Sequence, residues 1–133
     1  MIITIPGKPI PKARPRFARG KVYNKQKAEE DAFAWEVMKQ WTRGPIKGPV
    51  ALVLEFVMPI PKSTNKKNRR LMLAGRIKHT KTPDLDNLLK FALDCLEGLL
   101  FENDSQVYWL RSIKRYGRNP RTVITERKVK NAK

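Results

Sequence analysis

The apolar run from Val50 to Met58, closed by Pro49 and Pro59, constrains this chain more than any other segment. Glu55 interrupts it, and it is far shorter than the roughly 20 residues a membrane-spanning helix needs, so no span is expected. Its Val, Leu and Phe content reads instead as a well-buried strand over Val50–Val57, central in a sheet. The rest of the chain supplies partners. Ile2–Ile5 is a short β-rich run closed by Pro6-Gly7, and Val107–Arg115 and Thr122–Arg127 flank a Gly117–Pro120 turn, which reads as a hairpin.

Two segments carry helical periodicity. Asn24 is the expected N-cap of a helix running to about Arg43, with Phe33, Ala34, Val37, Met38 and Trp41 on its inner face and Gly44-Pro45 as the stop. Trp35 is assigned to the core with them. The second helix runs from about Asp84 to Glu97, with Leu88, Leu89, Ala92, Leu93 and Leu96 as its buried stripe and Gly98 at its end. The order predicts one small α+β domain over residues 1–133, a mixed sheet of about four strands packed with two main helices.

Charge says what this domain meets. The chain has 29 Lys+Arg against 12 Asp+Glu, a net charge of +17, and a compact state must tolerate that self-repulsion unless a polyanion relieves it. The cations concentrate in an N-terminal arm over residues 6–27, a mobile loop over residues 62–81 and a basic tail over residues 128–133. The arm is rich in proline and free of acid as far as Phe17, and is expected to be extended. The loop holds eight Lys/Arg plus His79, with no acid from Phe56 to Pro83. Lys8, Lys12, Arg14, Arg16, Lys66, Lys67, Arg69, Arg70 and Lys81 are the expected DNA contacts. A single cysteine, Cys95, excludes an intramolecular disulfide framework and a Cys-rich zinc site, and points to a reducing, cytoplasmic setting. The N-terminus lacks the pattern of a signal peptide.

The acids are segregated. Asp84, Asp86, Asp94, Glu97, Glu102 and Asp104, six of the twelve, fall within 21 residues. Asp86, Lys90 and Asp94 recur every four residues and share the polar face of the second helix, with Asp84 at its start. Asp104 follows in the next loop, and a strand returning beside the helix is expected to bring it to the Asp84 end. Carboxylates held together repel unless a cation compensates, and oxygen-only ligands suit Mg²⁺ or Mn²⁺. Such an ion beside DNA polarises a scissile phosphate and lowers the pKa of an attacking water, while Lys90 is placed to stabilise developing charge. Plainer readings compete: Asp84 and Asp86 as a helix cap and dipole partner worth about 0.3–1 kcal/mol each, Lys90–Asp94 as a surface pair, and Asp104 as a turn residue. For His79 the readings are a DNA-facing donor or a bystander, for Cys95 a small buried hydrophobe, and for Phe17, Tyr23 and Trp109 packing before base stacking.

The run PDLDNLLKFALDCLEGLLFENDSQV, Pro83 to Val107, resembles the signature of the RusA family of Holliday junction resolvases. The family pattern of Asp-x-Asp-Asn, a Lys four residues after the second Asp, an Asp-x-Leu and an acid followed by x-Gln falls on Asp84, Asp86 and Asn87, then Lys90, Asp94 with Leu96, and Asp104 with Gln106. Gly7 to Phe17 resembles the opening of phage and prophage members. The resemblance implies a homodimeric, Mg²⁺-dependent endonuclease, with Mn²⁺ able to substitute, that makes paired symmetric nicks across four-way DNA junctions in recombination and repair. It implies Asp84, Asp86 and Asp104 as metal ligands, Lys90 as a catalytic lysine, and Asn87, Asp94 and Gln106 in support. Some members carry two adjacent acids before the x-Gln, whereas this chain has Asn103-Asp104. Two rivals stay open: a basic nucleic-acid-binding module without catalysis, and a nuclease acting on flaps, forks or plain duplex.

Overall fold

The computed structural model describes residues 1–13, 16–18, 21–23 and 26–129, the two short stretches by backbone alone. Along the chain come β1 (Ile2–Pro6), β2 (Arg16–Ala18), β3 (Lys21–Tyr23), α1 (Lys27–Gln40), β4 (Val50–Met58), α2 (Lys66–Leu73), α3 (Leu85–Leu96), a 3-10 turn (Asp104–Gln106), β5 (Val107–Tyr116) and β6 (Arg121–Arg127). The expectations placed on Arg14, Asn24 and residues 130–133, and on the side chains of Arg16, Phe17 and Tyr23, fall outside the described residues.

β4 is central, as its composition requires. The main sheet has the order β1-β6-β4-β5, with β4 antiparallel to β6 and parallel to β5, while β2 and β3 form a separate antiparallel ribbon. This mixed four-stranded sheet, covered on one face by helices, is the expected α+β architecture. Ile3, Ile5, Leu52, Leu54, Phe56, Met58 and Ile124 face Phe33, Val37 and Trp41 of the first helical segment and Leu88, Phe91, Ala92 and Leu96 of α3. Phe33 and Phe91 meet edge to face at 5.8 Å, locking the two helices together.

Three local expectations are corrected. β5 and β6 are not a hairpin, because β4 lies between them. β5 runs parallel to β4, so the chain must pass over the end of β4 before descending as β6. Gly117 makes that passage: its N–H donates to the Met58 carbonyl at 3.1 Å, and a Cβ there would lie 2.5 Å from Val57 Cγ1. The second correction is in the basic segment, which contains α2. Asn65 caps α2 by accepting from the Asn68 N–H at 2.8 Å, and Gly75 (φ 76°) closes it, with Arg76 N–H donating to Leu71 O at 2.9 Å. Both signals stand in the sequence, but the density of cations outweighs them in a composition-based reading. Third, α1 spans Lys27–Gln40, and Trp35 and Met38 are 62% and 51% exposed instead of buried. Phe33, Val37 and Trp41 already fill the inward stripe at four-residue spacing, and Trp35 and Met38 fall outside it.

The outer edge of β1 is closed by a side chain. Gln40 accepts from the Thr4 N–H at 2.9 Å and donates to the Thr4 carbonyl at 2.8 Å, completing the strand's hydrogen bonds on the side where, among the described residues, no strand pairs with it. Among the described residues no helix is long and apolar enough to cross a membrane.

Candidate active site

The start of α3 presents its acids to solvent. Asp84 occupies the N-cap position in extended geometry, yet its side chain makes no capping hydrogen bond. The plain capping role is therefore not what holds this carboxylate. Asp86 lies in the first turn, and Lys90 Nζ stands 3.9 Å from its Oδ2, with both side chains more than half exposed. A pair that open contributes little to stability. Asp84 and Asn87 line a 450 Å³ hollow together with Lys8, Lys12, Thr82 and Pro83. Acid and base thus face one space.

The N-terminal arm is docked against α3. The Lys12 N–H donates to the Asn87 carbonyl at 2.9 Å, and Lys12 Nζ meets Asp94 Oδ2 at 3.0 Å and Glu30 Oε2 at 3.9 Å. The hydrogen bond to Asp94 raises the Lys12 pKa above its ordinary value, against an opposing effect of burial. Gln26, buried at the start of α1, accepts from the Ala13 N–H and donates to the Pro11 carbonyl, each at 2.8 Å. Asp94 therefore anchors the arm, and Lys12 is ion-paired within the fold, while Lys8 stands exposed on the rim of the hollow. The other expected DNA contacts lie on α2, where Lys66, Lys67 and Arg70 are exposed and Arg69 is half-buried, and at exposed Lys81.

Asp104 is elsewhere. Its N–H donates to Glu97 Oε2 at 2.9 Å, at the C-terminal cap of α3. The twelve residues of α3 separate that end from Asp84 by about 18 Å at 1.5 Å per residue. The returning strand does reach the Asp84 end, but with Lys114, whose ammonium donates to the carbonyls of Lys81 (2.7 Å) and Pro83 (2.9 Å). Asp104 precedes that strand and stays at its far end, so the expected convergence within one chain does not occur. Among the described residues no three His, Cys, Asp or Glu side chains gather to hold an ion. Asp84 and Asp86, both exposed at the start of α3, offer oxygen donors only, the kind of donor set Mg²⁺ takes through one or two carboxylates and completes with water and substrate phosphate.

Gln106 acts as a bracket. Its Nε2 donates to the carbonyls of Ile46 and Gly48, and its Oε1 accepts from the N–H groups of Glu102 and Asn103, tying the Asp104 turn to the segment before β4. The Cys95 thiol is pushed up to about 12, by burial first and by Glu30 next, which makes it inert and agrees with its reading as a small hydrophobe. Trp109 is half-exposed beneath the Arg127 guanidinium at 4.9 Å, not packed into the core. Sequence reasoning missed Gln26, Glu97 and Lys114, since nothing in local spacing marks a glutamine, glutamate or lysine whose role is to bind a distant backbone group.

The chain matches the family described as endodeoxyribonuclease RusA over residues 6–126, which take in the docked arm, α3 and the Asp104 turn. It is also similar to YqaN of Bacillus subtilis (strain 168), described as an uncharacterized protein, with 32% identity over 134 residues covering 95% of this chain and 94% of YqaN. The match spans both the basic arm and Asp84, the carboxylate that shares its hollow, and the chain belongs to the RusA family of endodeoxyribonucleases.

Proposed function

We propose that this protein is a Mg²⁺-dependent endodeoxyribonuclease that resolves four-way DNA junctions by paired nicks, working as a homodimer in the cytoplasm. The observation that carries this reading is the placement of Asp84, Asp86, Asn87 and Lys90 at the exposed start of α3, beside a hollow rimmed by Lys8 and Lys12, in a chain of the RusA family. Lys8, Lys81 and the cations of α2 bind phosphates, releasing counterions and so making affinity steeply salt-dependent. Asp84 and Asp86 hold the divalent ion. A Mg²⁺ there supplies Lewis-acid polarisation of the phosphate and a lower pKa for the attacking water. Lys90, one turn along from Asp86, directs its ammonium at the charge that develops on the phosphoryl oxygens. Asn87 and Asp94 keep the arm against α3.

The dimer reading rests on two observations. Asp104 is too far from Asp84 to share an ion with it in one chain. Among the described residues the outer edge of β5 is unpaired, and half of the exposed large hydrophobics, Tyr108, Trp109, Leu110 and Ile113, lie on that strand. An open, apolar edge of this kind calls for a cover. Two-fold antiparallel pairing of β5 edges sets the start of one strand beside the end of the other, which carries Asp104 of the partner subunit toward the Asp84 end. Substrate choice is tested by competition: a fixed four-way junction should displace labelled junction at far lower concentration than flap or linear duplex, and equal competition by duplex would remove the junction assignment.

A further inference from the structure

A second hollow, of 220 Å³, adjoins the one lined by Asp84 and Asn87, and the two share Lys8, Thr82 and Pro83. His79, Lys81 and Tyr116 line the new part, and among the described residues no acid does. The pairing of β4 with β5 explains its position. Lys114 stands opposite Phe56 and Tyr116 opposite Met58, so both lie on the helix-covered face of the sheet, beyond the start of α3. The Lys114 ammonium is fixed on the carbonyls of Lys81 and Pro83. The His79 ring, part of the hollow's lining, lies 4.8 Å from that of Tyr116, and its Nδ1 is buried without a hydrogen-bond partner. Burial first, then the charge of Lys114 and last that of Lys81, lower the His79 pKa from its ordinary value, against an opposing backbone hydrogen bond.

Two lysines, Lys8 and Lys81, and an imidazole line this space, with the Lys114 ammonium held behind it on the Lys81 and Pro83 carbonyls; a lining of this charge favours an oxyanion, which relieves the repulsion among the ammonium groups and accepts hydrogen bonds from Lys8 and Lys81. The space adjoins the Asp84 hollow across Lys8, Thr82 and Pro83, so a strand lying along both would put one phosphate near Asp84 and a neighbouring one near His79. We propose that the His79–Tyr116 hollow is a phosphate subsite that seats the neighbouring phosphodiester of the strand being cut. Its place on the cut strand rests on the nuclease reading above, whereas its affinity for phosphodiester does not.

His79 is the single histidine of the chain, so its ring protons give one NMR signal free of overlap. The metal-free wild-type protein is titrated with a four-residue oligothymidylate, and separately with the same oligomer carrying neutral methylphosphonate linkages. The charged oligomer should move the signal and strengthen the hold of His79 on its proton by about tenfold, as an opposite charge at hydrogen-bond distance does. The neutral one should do neither. An equal response to both would mean ring stacking instead of phosphate capture, and no response to either would leave the hollow outside the DNA path; each result overturns the proposal. In a second arm, one methylphosphonate is placed beside the scissile phosphate of a four-way junction. It should slow cleavage by wild-type protein and add no penalty in His79→Gln. An equal penalty in both proteins would refute the position on the cut strand. Absence of any cleavage of the unmodified junction by wild-type protein would refute the nuclease reading, with the NMR result still deciding phosphate capture.

Discussion

If the ion site is built across two subunits, two inactive variants should repair one another. The about 18 Å from Asp84 to the far end of α3 compares with a metal–oxygen bond of about 2.1 Å, so Asp104 of one chain cannot join its own Asp86 on a single Mg²⁺. Asp86→Asn and Asp104→Asn homodimers should each lose at least ~100-fold in cleavage, since even outer-shell partners of metal ligands cost 10–100-fold. A heterodimer of the two variants holds one site with both lesions and one site with none. Co-expressed with different affinity tags and purified through both, it should recover about half of the wild-type nicking rate, as single nicks instead of paired ones. A site closed within each chain would leave one lesion in both sites, and the heterodimer would be as inactive as its parents. Inactivity of a properly folded heterodimer would refute the shared site.

Other consequences are separable from that one. Gly117→Ala places a methyl group 2.5 Å from Val57 Cγ1 on the path over β4, and should cost ~1–3 kcal/mol by overpacking, seen as a fall of several degrees in Tm; Val57→Ala in the same chain should give back part of it. Asp94→Asn removes the partner of Lys12 and should speed proteolysis within the arm while leaving Tm within a degree or two, as expected for a pair this open to solvent. The raised Lys12 pKa means that the pair's contribution is fully present below pH 10.5 and fades as pH rises through the folded-state value, so wild-type protein should show the same arm cleavage at high pH. With its thiol pushed up to about 12, Cys95 should react with a disulfide reagent at pH 8 about a thousandfold more slowly than an ordinary cysteine thiol, and only denaturant should abolish the difference.

The parts of the fold that were legible in the sequence are those governed by local pattern. β4 announced itself by apolar content between two prolines, and α3 by a leucine stripe ending at Gly98. What depended on long-range pairing was not legible. The path from β5 to β6 looks like a hairpin because a short Gly-containing link usually makes one, and only the parallel pairing of β5 with β4 turns Gly117 into a crossover. α2 was hidden by its own charge, although Asn65 and Gly75 mark its ends. The acidic residues of the site were found by their clustering along the chain, yet clustering says nothing about which end of a helix a residue occupies. Asp104 is close to Asp94 in sequence and lies at the opposite end of α3 from Asp84. The arm's attachment was also invisible, since the Gln26 side chain grips backbone groups of the arm that any residue could offer, and Asn87 holds it through its own backbone carbonyl.

The central claim is a metal-dependent nick placed by Asp84 and Asp86, and its most direct measurement is cleavage of an end-labelled, immobile four-way junction with and without Mg²⁺, by wild-type protein and by Asp86→Asn. The account predicts symmetric nicks in two opposed strands only with Mg²⁺ and wild-type protein, with junction binding by Asp86→Asn equal to or tighter than wild type because a charge that repels DNA is gone. Tight binding by wild-type protein with no Mg²⁺-dependent nick would contradict it, and would reduce the acids of α3 to the electrostatics of a helix end.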